Sequence, residues 1–122
     1  MPDHDQNQTV NWVQLSELIG DEDDQSQREL LGEMWRDMVK DVHAGWNQVD
    51  SQADPQELKR DLHRIRGLIS MWGVDALAQI LLAIEHDPDP VNASARQAAN
   101  IGTLWAETRG GIEQRYPWLA AM

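Results

Sequence analysis

Residues 54–73 read DPQELKRDLHRIRGLISMWG, and this stretch contains an amphipathic helix with signals at both ends. Asp54 supplies an N-cap side chain, and Pro55 suits the first helical position, where no backbone N–H is needed. Gly73 predicts the end of the helix or a sharp turn. The apolar residues between these signals recur at spacings of four and three: Leu58, Leu62, Ile65, Ile69 and Trp72. This spacing predicts a helix that buries one face against a core.

A longer apolar pattern precedes this stretch, from about Asp24 to Asp50. Its residues recur every three or four positions, which predicts one broad buried stripe on a second helix. They are Leu30, Leu31, Met34, Trp35, Met38, Val39, Val42, Trp46 and Val49. A short first helix is expected before it, with Asn11 as its N-cap and Gly20 just past its end.

Two more helices are expected after Gly73. The apolar residues of the fourth are Val74, Leu77, Ile80, Leu81 and Ile84. It should end at the Asp87-Pro88-Asp89-Pro90 segment, because proline cannot continue a helix. The fifth should begin near Asn92, and Gly110-Gly111 should end or kink it. Its expected buried side consists of Ala98, Ile101, Trp105 and Ile112.

These elements predict an all-α fold: an antiparallel four-helix bundle with a short additional N-terminal helix. Residues 11–122 are expected to form one domain, and the polar residues 1–10 to be disordered or frayed. The tail from Tyr116 to Met122 is apolar enough to pack back on the bundle. Phenylalanine is absent and six tryptophans are present, so tryptophan is expected to supply the large core aromatics.

The composition narrows the classes of function. A net charge of −11 argues against binding to nucleic acid or to an anionic membrane. No apolar stretch approaches the roughly 20 residues of a membrane span, and no signal peptide opens the chain, so a cytoplasmic protein is expected. The chain has no cysteine, no paired-histidine zinc spacing and no glycine-rich phosphate loop. Neither a metal, a cofactor nor an ATP site of its own is therefore expected.

Basic residues are concentrated around one histidine. Four of the ten Lys and Arg residues fall within residues 59–66, namely Lys59, Arg60, Arg64 and Arg66. On a helical wheel of about 100° per residue, His63 points roughly 140° away from the centre of the apolar stripe. The sequence therefore places His63 on the solvent side of its helix. A solvated helix face of mixed charge is the simpler interpretation of the cations taken alone.

The residues one turn from His63 suit phosphoryl chemistry. Arg66 can donate charge-assisted hydrogen bonds to a phosphoryl group on the imidazole. Gly67 leaves room beside the ring for another protein to approach. A histidine is substantially neutral at cellular pH and then has a ring nitrogen available for attack. Because no nucleotide site is present, the phosphoryl donor would have to be another protein.

At these residues the chain resembles the histidine-containing phosphotransfer (HPt) domains of bacterial phosphorelays. The family pattern has a histidine, a basic residue at plus three, glycines at plus four and plus ten, a leucine at plus fourteen and often a later glutamate. The matching residues are His63, Arg66, Gly67, Gly73, Leu77 and Glu85. The resemblance spans about residues 11–115. Two departures are Leu68, where the family usually has a small residue, and Arg66, where lysine is commoner.

The resemblance implies a phosphocarrier without enzymatic activity of its own. His63 would accept a phosphoryl group from a receiver-domain aspartate and pass it to the aspartate of another response regulator. The implied partners are receiver domains and a hybrid sensor histidine kinase, with Mg²⁺ on the receiver only, and a monomer is expected. The expected docking residues are Lys59, Arg60, Arg64, Ser70 and Met71. Two alternatives are a docking module that carries no phosphate and a structural bundle whose histidine is incidental.

Overall fold

A computed structural model describes residues 9–120, where the backbone forms five α-helices and a final short 3-10 helix. The α-helices are α1 (Trp12–Ile19), α2 (Gln25–Ser51), α3 (Pro55–Ser70), α4 (Asp75–Glu85) and α5 (Pro90–Arg115). The 3-10 helix is Pro117–Leu119, and residues 9–120 contain no strand. The all-α fold is confirmed.

The predicted N-caps, Asn11 and Asp54, begin α1 and α3, and Asp24, which was not predicted as a cap, begins α2. The Asn11 side chain accepts a hydrogen bond from a backbone N–H of the first turn of α1, and Asp24 and Asp54 do the same for α2 and α3. Each such cap stabilises its helix by about 1 kcal/mol. Because the caps lie in the short connections, they also fix where one helix stops and the next begins.

The four longer helices pack as a bundle around α3, which contacts α2, α4 and α5. The face predicted to be buried is buried: Leu62, Ile65, Ile69 and Trp72 have no exposed surface. Trp72 meets Trp35 of α2 edge to face, with ring centroids 5.1 Å apart. Tryptophan therefore does supply the large aromatics of the core.

The turn between α3 and α4 depends on Gly73. Its φ is +74°, a backbone conformation that L side chains rarely adopt. A Cβ atom here would lie 2.7 Å from the Asn11 carbonyl oxygen. The Asn11 N–H also donates to the Gly73 carbonyl at 2.7 Å, so this turn anchors the start of α1.

Gly110-Gly111 were expected to end or kink the last helix, and they do not end it, because α5 continues to Arg115. Beyond the two glycines, Ile112 is fully buried, and Glu113 accepts a hydrogen bond from the Trp35 indole N–H at 2.8 Å. A glycine weakens a helix by about 1 kcal/mol relative to alanine, and these tertiary contacts outweigh that loss.

Other expectations need correction. Leu30 is 57% exposed although it was assigned to the buried stripe. Adjacent residues in a helix point about 100° apart, and Leu31 takes the inward position. Ala98 is exposed, because its short side chain lines an open groove beside Trp46 and Trp105. The helix α5 begins at Pro90 rather than Asn92, since a proline fits its first position.

The ends of the chain were only partly predicted. Val10 was assigned to the frayed N-terminus, yet it is 1% exposed, so it belongs to the packed body. Residues 1–8 lie outside the described residues. The tail packs back as predicted, with Tyr116 and Leu119 buried, and residues 121–122 lie outside the described part. Within residues 9–120, no helix has the length and apolar character that crossing a membrane requires.

Candidate functional site

His63 lies on the outer face of α3, and its side chain is 72% exposed. Its neighbours Leu62 and Ile65 point the other way and are fully buried. The N-cap at Asp54 and the buried stripe fix the rotation of α3 about its axis, which in turn fixes where His63 points. The helical wheel placed this side chain correctly.

The Glu85 carboxylate and the Arg66 guanidinium flank the His63 ring. Arg66 Nε donates to Glu85 Oε2 at 2.7 Å, and Arg66 Nη2 lies 3.3 Å from Glu85 Oε1. The same Nη2 contacts His63 Nδ1 at 2.8 Å, and Glu85 Oε1 lies 3.5 Å from that nitrogen. These three residues form a contiguous group, which we call the His63 triad.

Because Arg66 and Glu85 are partly buried, solvent and salt screen their ion pair less than a surface ion pair. The side chain of Glu85 is 12% exposed and that of Arg66 is 25% exposed. Hydrogen bonding to Glu85, together with its negative charge, raises the pKa of the Arg66 guanidinium, against the opposing effect of burial. Arg66 therefore stays a cation beside the ring, and Glu85 holds it in place.

Gly67 leaves open space beside the ring. A Cβ atom built at this position would have no contact within 4 Å. Packing within the chain therefore gives no reason for a glycine in the interior of α3. A mid-helix glycine weakens a helix by about 1 kcal/mol relative to alanine, and Gly102, Gly110 and Gly111 of α5 adjoin open space in the same way.

The other cations near His63 are partly engaged by neighbours. Arg60 pairs with Glu57 at 2.8 Å, in an exposed pair of small energetic value. Arg64 donates to Gln48 Oε1 of α2 at 3.2 Å. Lys59 is half-buried. Their charges therefore lie along the edge of α3 around the His63 triad.

Two expected docking residues differ in what they offer a partner. The Ser70 hydroxyl donates to the Arg66 carbonyl at 2.6 Å, and the Ser70 carbonyl accepts from Gln14 Nε2 at 2.9 Å. Ser70 thus uses polar groups inside the chain, whereas Met71 is 44% exposed and presents apolar surface. Leu68 is partly buried and packs against the core.

The sequence reasoning matched Glu85 to a pattern but gave it no role. Glu85 lies nineteen positions after Arg66, on the next helix, so no helical spacing relates the two. The turn at Gly73 folds α4 back along α3 and brings the carboxylate to the guanidinium. Among residues 9–120 there is no group of three or more His, Asp or Glu side chains that could hold a metal ion.

A family model of the Hpt domain matches residues 25–111 of the chain. The matched range begins at the first residue of α2 and includes all three residues of the His63 triad. No curated protein and no solved structure matches the chain.

Proposed function

The chain belongs to the Hpt domain family, whose role is histidine phosphotransfer in phosphorelays, and we propose that His63 is the residue that carries the phosphoryl group. The observation that supports this most directly is the 72% exposure of the His63 side chain in the middle of a well-packed helix. An exposed imidazole next to a fixed cation can reach a donor on another protein and then stabilise the transferred anionic group.

In the proposed reaction a receiver domain supplies the phosphoryl group as an aspartyl phosphate. A His63 ring nitrogen attacks the phosphorus, a new N–P bond forms, and the aspartate leaves with the electron pair of the broken P–O bond. Transfer to a second receiver is the same step in reverse. Because Nδ1 faces Arg66 and Glu85, Nε2 is the nitrogen that we assign to the attack.

The receiver domain would supply the remaining chemistry. Mg²⁺ would lie on the receiver domain, and this chain would act as a cytoplasmic monomer without a cofactor or ATP site. The cations along α3 would complement an acidic receiver pocket and speed the encounter, and Met71 would add apolar contact. A hybrid sensor kinase would provide the first receiver, and a response regulator the second.

The test is phosphotransfer from labelled receiver domains to the full chain and to a His63→Gln variant. The wild type should take up label and the variant should take up none, because glutamine has no ring nitrogen. His86→Gln is the matched control, since His86 is also exposed and directly follows Glu85. It should be labelled like the wild type.

Other outcomes separate the alternatives. Receiver binding without label on the wild type would favour the docking module over the phosphocarrier. Label retained on His63→Gln would assign the chemistry to another residue. Neither binding nor label with the cognate receivers of the same organism would overturn both proposals.

A further inference from the structure

An open seam runs between α2 and α5, away from the His63 triad. These two helices contact each other less extensively than α2 and α3 or α4 and α5 do. Large side chains lie between them: Trp105 of α5 donates to His43 of α2 at 3.0 Å, and Trp46 of α2 lies beside Trp105. One cleft lies on each side of the bridge between Trp105 and His43. We call the two clefts together the α2/α5 seam.

The first cleft is an apolar groove with a volume of about 160 Å³. Trp46, Trp105 and Ile101 line it, and α5 contributes Ala98 and Gly102, which are exposed and too small to fill it. A Cβ atom built at Gly102 would meet nothing within 4 Å. Pockets for whole small molecules have volumes of roughly 300–1,000 Å³, so this groove suits one large apolar side chain of a partner.

The second cleft, of about 360 Å³, is cationic. Arg36, Lys40 and Arg109 line it, and Glu113 is the one carboxylate among its lining residues. The Glu113 carboxylate already accepts hydrogen bonds from the Trp35 indole N–H at 2.8 Å and from Arg109 Nε at 3.1 Å. The chain as a whole has 21 acidic and 10 basic residues, so this local excess of positive charge is unusual for it. The cleft therefore favours carboxylates of a partner.

The two clefts are arranged along the helix axes. Because α2 and α5 are antiparallel, Lys40 and Arg109 share one end of the seam, and Asp50 and Ser94 share the other. From Gly102 to Arg109 the α5 axis rises by about 10 Å, which is two helical turns. A docked helix would thus place an apolar side chain and a carboxylate two turns apart. Its negative C-terminal end would face the cations, and its positive N-terminal end would face Asp50.

We infer that the α2/α5 seam is a docking site for an amphipathic helix of another protein, which inserts an apolar side chain beside Trp46 and places carboxylates near Lys40 and Arg109. The inference does not depend on phosphotransfer. A helix bound here leaves His63 accessible, because the seam lies on α2 and α5 and the His63 triad on α3 and α4. The seam of a second copy would not fill the groove, since both surfaces are concave.

Calorimetric titration of the full chain with a helical peptide tests the docking site. The probe is an alanine-based helix with two leucines on one turn and two glutamates two turns nearer its C-terminus. A control peptide has lysines in place of the glutamates and should bind roughly tenfold more weakly.

Variants of the chain locate the binding site. Ala98→Leu fills the groove from an exposed helical position, so the fold should survive and binding should weaken by roughly ten- to a hundredfold. Lys40→Glu should weaken binding by roughly three- to tenfold. Arg96→Glu is the matched control, because Arg96 is an exposed cation of α5 that lies near Asp87 and outside the seam. It should bind like the wild type.

Three titration results would overturn the inference: no binding by the wild type, equal binding of both peptides, or unchanged binding by Ala98→Leu. A wild type that self-associates in sedimentation, with a monomeric Ala98→Leu, would assign the seam to a second copy instead. Labelled transfer to His63 should keep its rate when the peptide saturates the chain, and a peptide that blocks transfer would place its site on the His63 side. Absence of label without peptide would count against the proposed function alone.

Discussion

The two faces of α3 contrast more sharply than any other two regions of the molecule. On the inner face Leu62, Ile65 and Ile69 have no exposed surface and lie at the centre of the core. On the outer face His63 is 72% exposed, and Gly67 adjoins open space. The inner face has the packing that stabilises the fold, and the outer face has the groups that suit phosphotransfer. Substitutions in one helix should therefore change stability and transfer separately.

The largest effect should come from the inner face. Leu62→Ala removes a fully buried side chain, and a change of this kind lowers the free energy of unfolding by about 2–5 kcal/mol. Denaturant unfolding measures this loss. The neighbouring His63→Gln should stay within about 0.5 kcal/mol of the wild type, because the side chain is exposed. The rate of phosphoryl transfer per folded molecule should not change in Leu62→Ala.

The opposite results would contradict the separation of stability and transfer between the two faces of α3. A stable Leu62→Ala chain that transfers slowly would mean that the inner face contributes to the site directly. A His63→Gln chain that is strongly destabilised would mean that the outer face contributes to the fold.

The contrast between the faces was predictable because it depends on local physics. A capped helix with a regular apolar stripe has a defined rotation about its axis, so His63 could be placed outside and Leu62 inside from the sequence alone. The predicted side-chain caps at Asn11 and Asp54 likewise marked the starts of α1 and α3. Each of these predictions depends on residues a few positions apart.

The features that the sequence did not predict depend on residues far apart in the chain. The contact of Glu85 with Arg66 exists because α4 folds back along α3. Continuation of α5 through Gly110-Gly111 depends on packing and on the bond from Trp35 to Glu113. A helical pattern cannot report such contacts, since it gives the direction of a side chain but not the group that it meets.

A smaller effect is expected within the outer face, at Arg66. Arg66→Ala should slow phosphoryl transfer by roughly ten- to a hundredfold, the loss expected for removing a charge-assisted hydrogen bond to the transferred group. Single-turnover transfer from a labelled receiver domain measures the rate, and thermal unfolding checks that the fold survives.

Arg60→Ala is the matched control for Arg66→Ala. Arg60 is another cation of the same helix, but it is exposed and pairs with Glu57 rather than with the ring. The Arg60→Ala substitution should reduce the rate of encounter with the receiver domain at low salt only. Exposed charges act through a longer-range attraction that salt screens. Equal transfer kinetics in Arg66→Ala and the wild type would remove Arg66 from the mechanism.

The smallest effect should come from one methyl group at Gly67. Gly67→Ala adds a Cβ atom that meets nothing in the chain, so the helix should gain about 0.5–1 kcal/mol of stability. Gly102→Ala of α5 is the matched control, because its Cβ would also meet nothing within 4 Å. Both variants should unfold at higher denaturant concentration than the wild type. Only Gly67→Ala should slow transfer, by less than about tenfold, since a methyl group beside His63 costs about 1 kcal/mol against a closely docked partner. Equal transfer by both variants would show that the partner does not approach α3 closely at Gly67. The part of the outer face that acts in transfer would then be limited to His63 and Arg66.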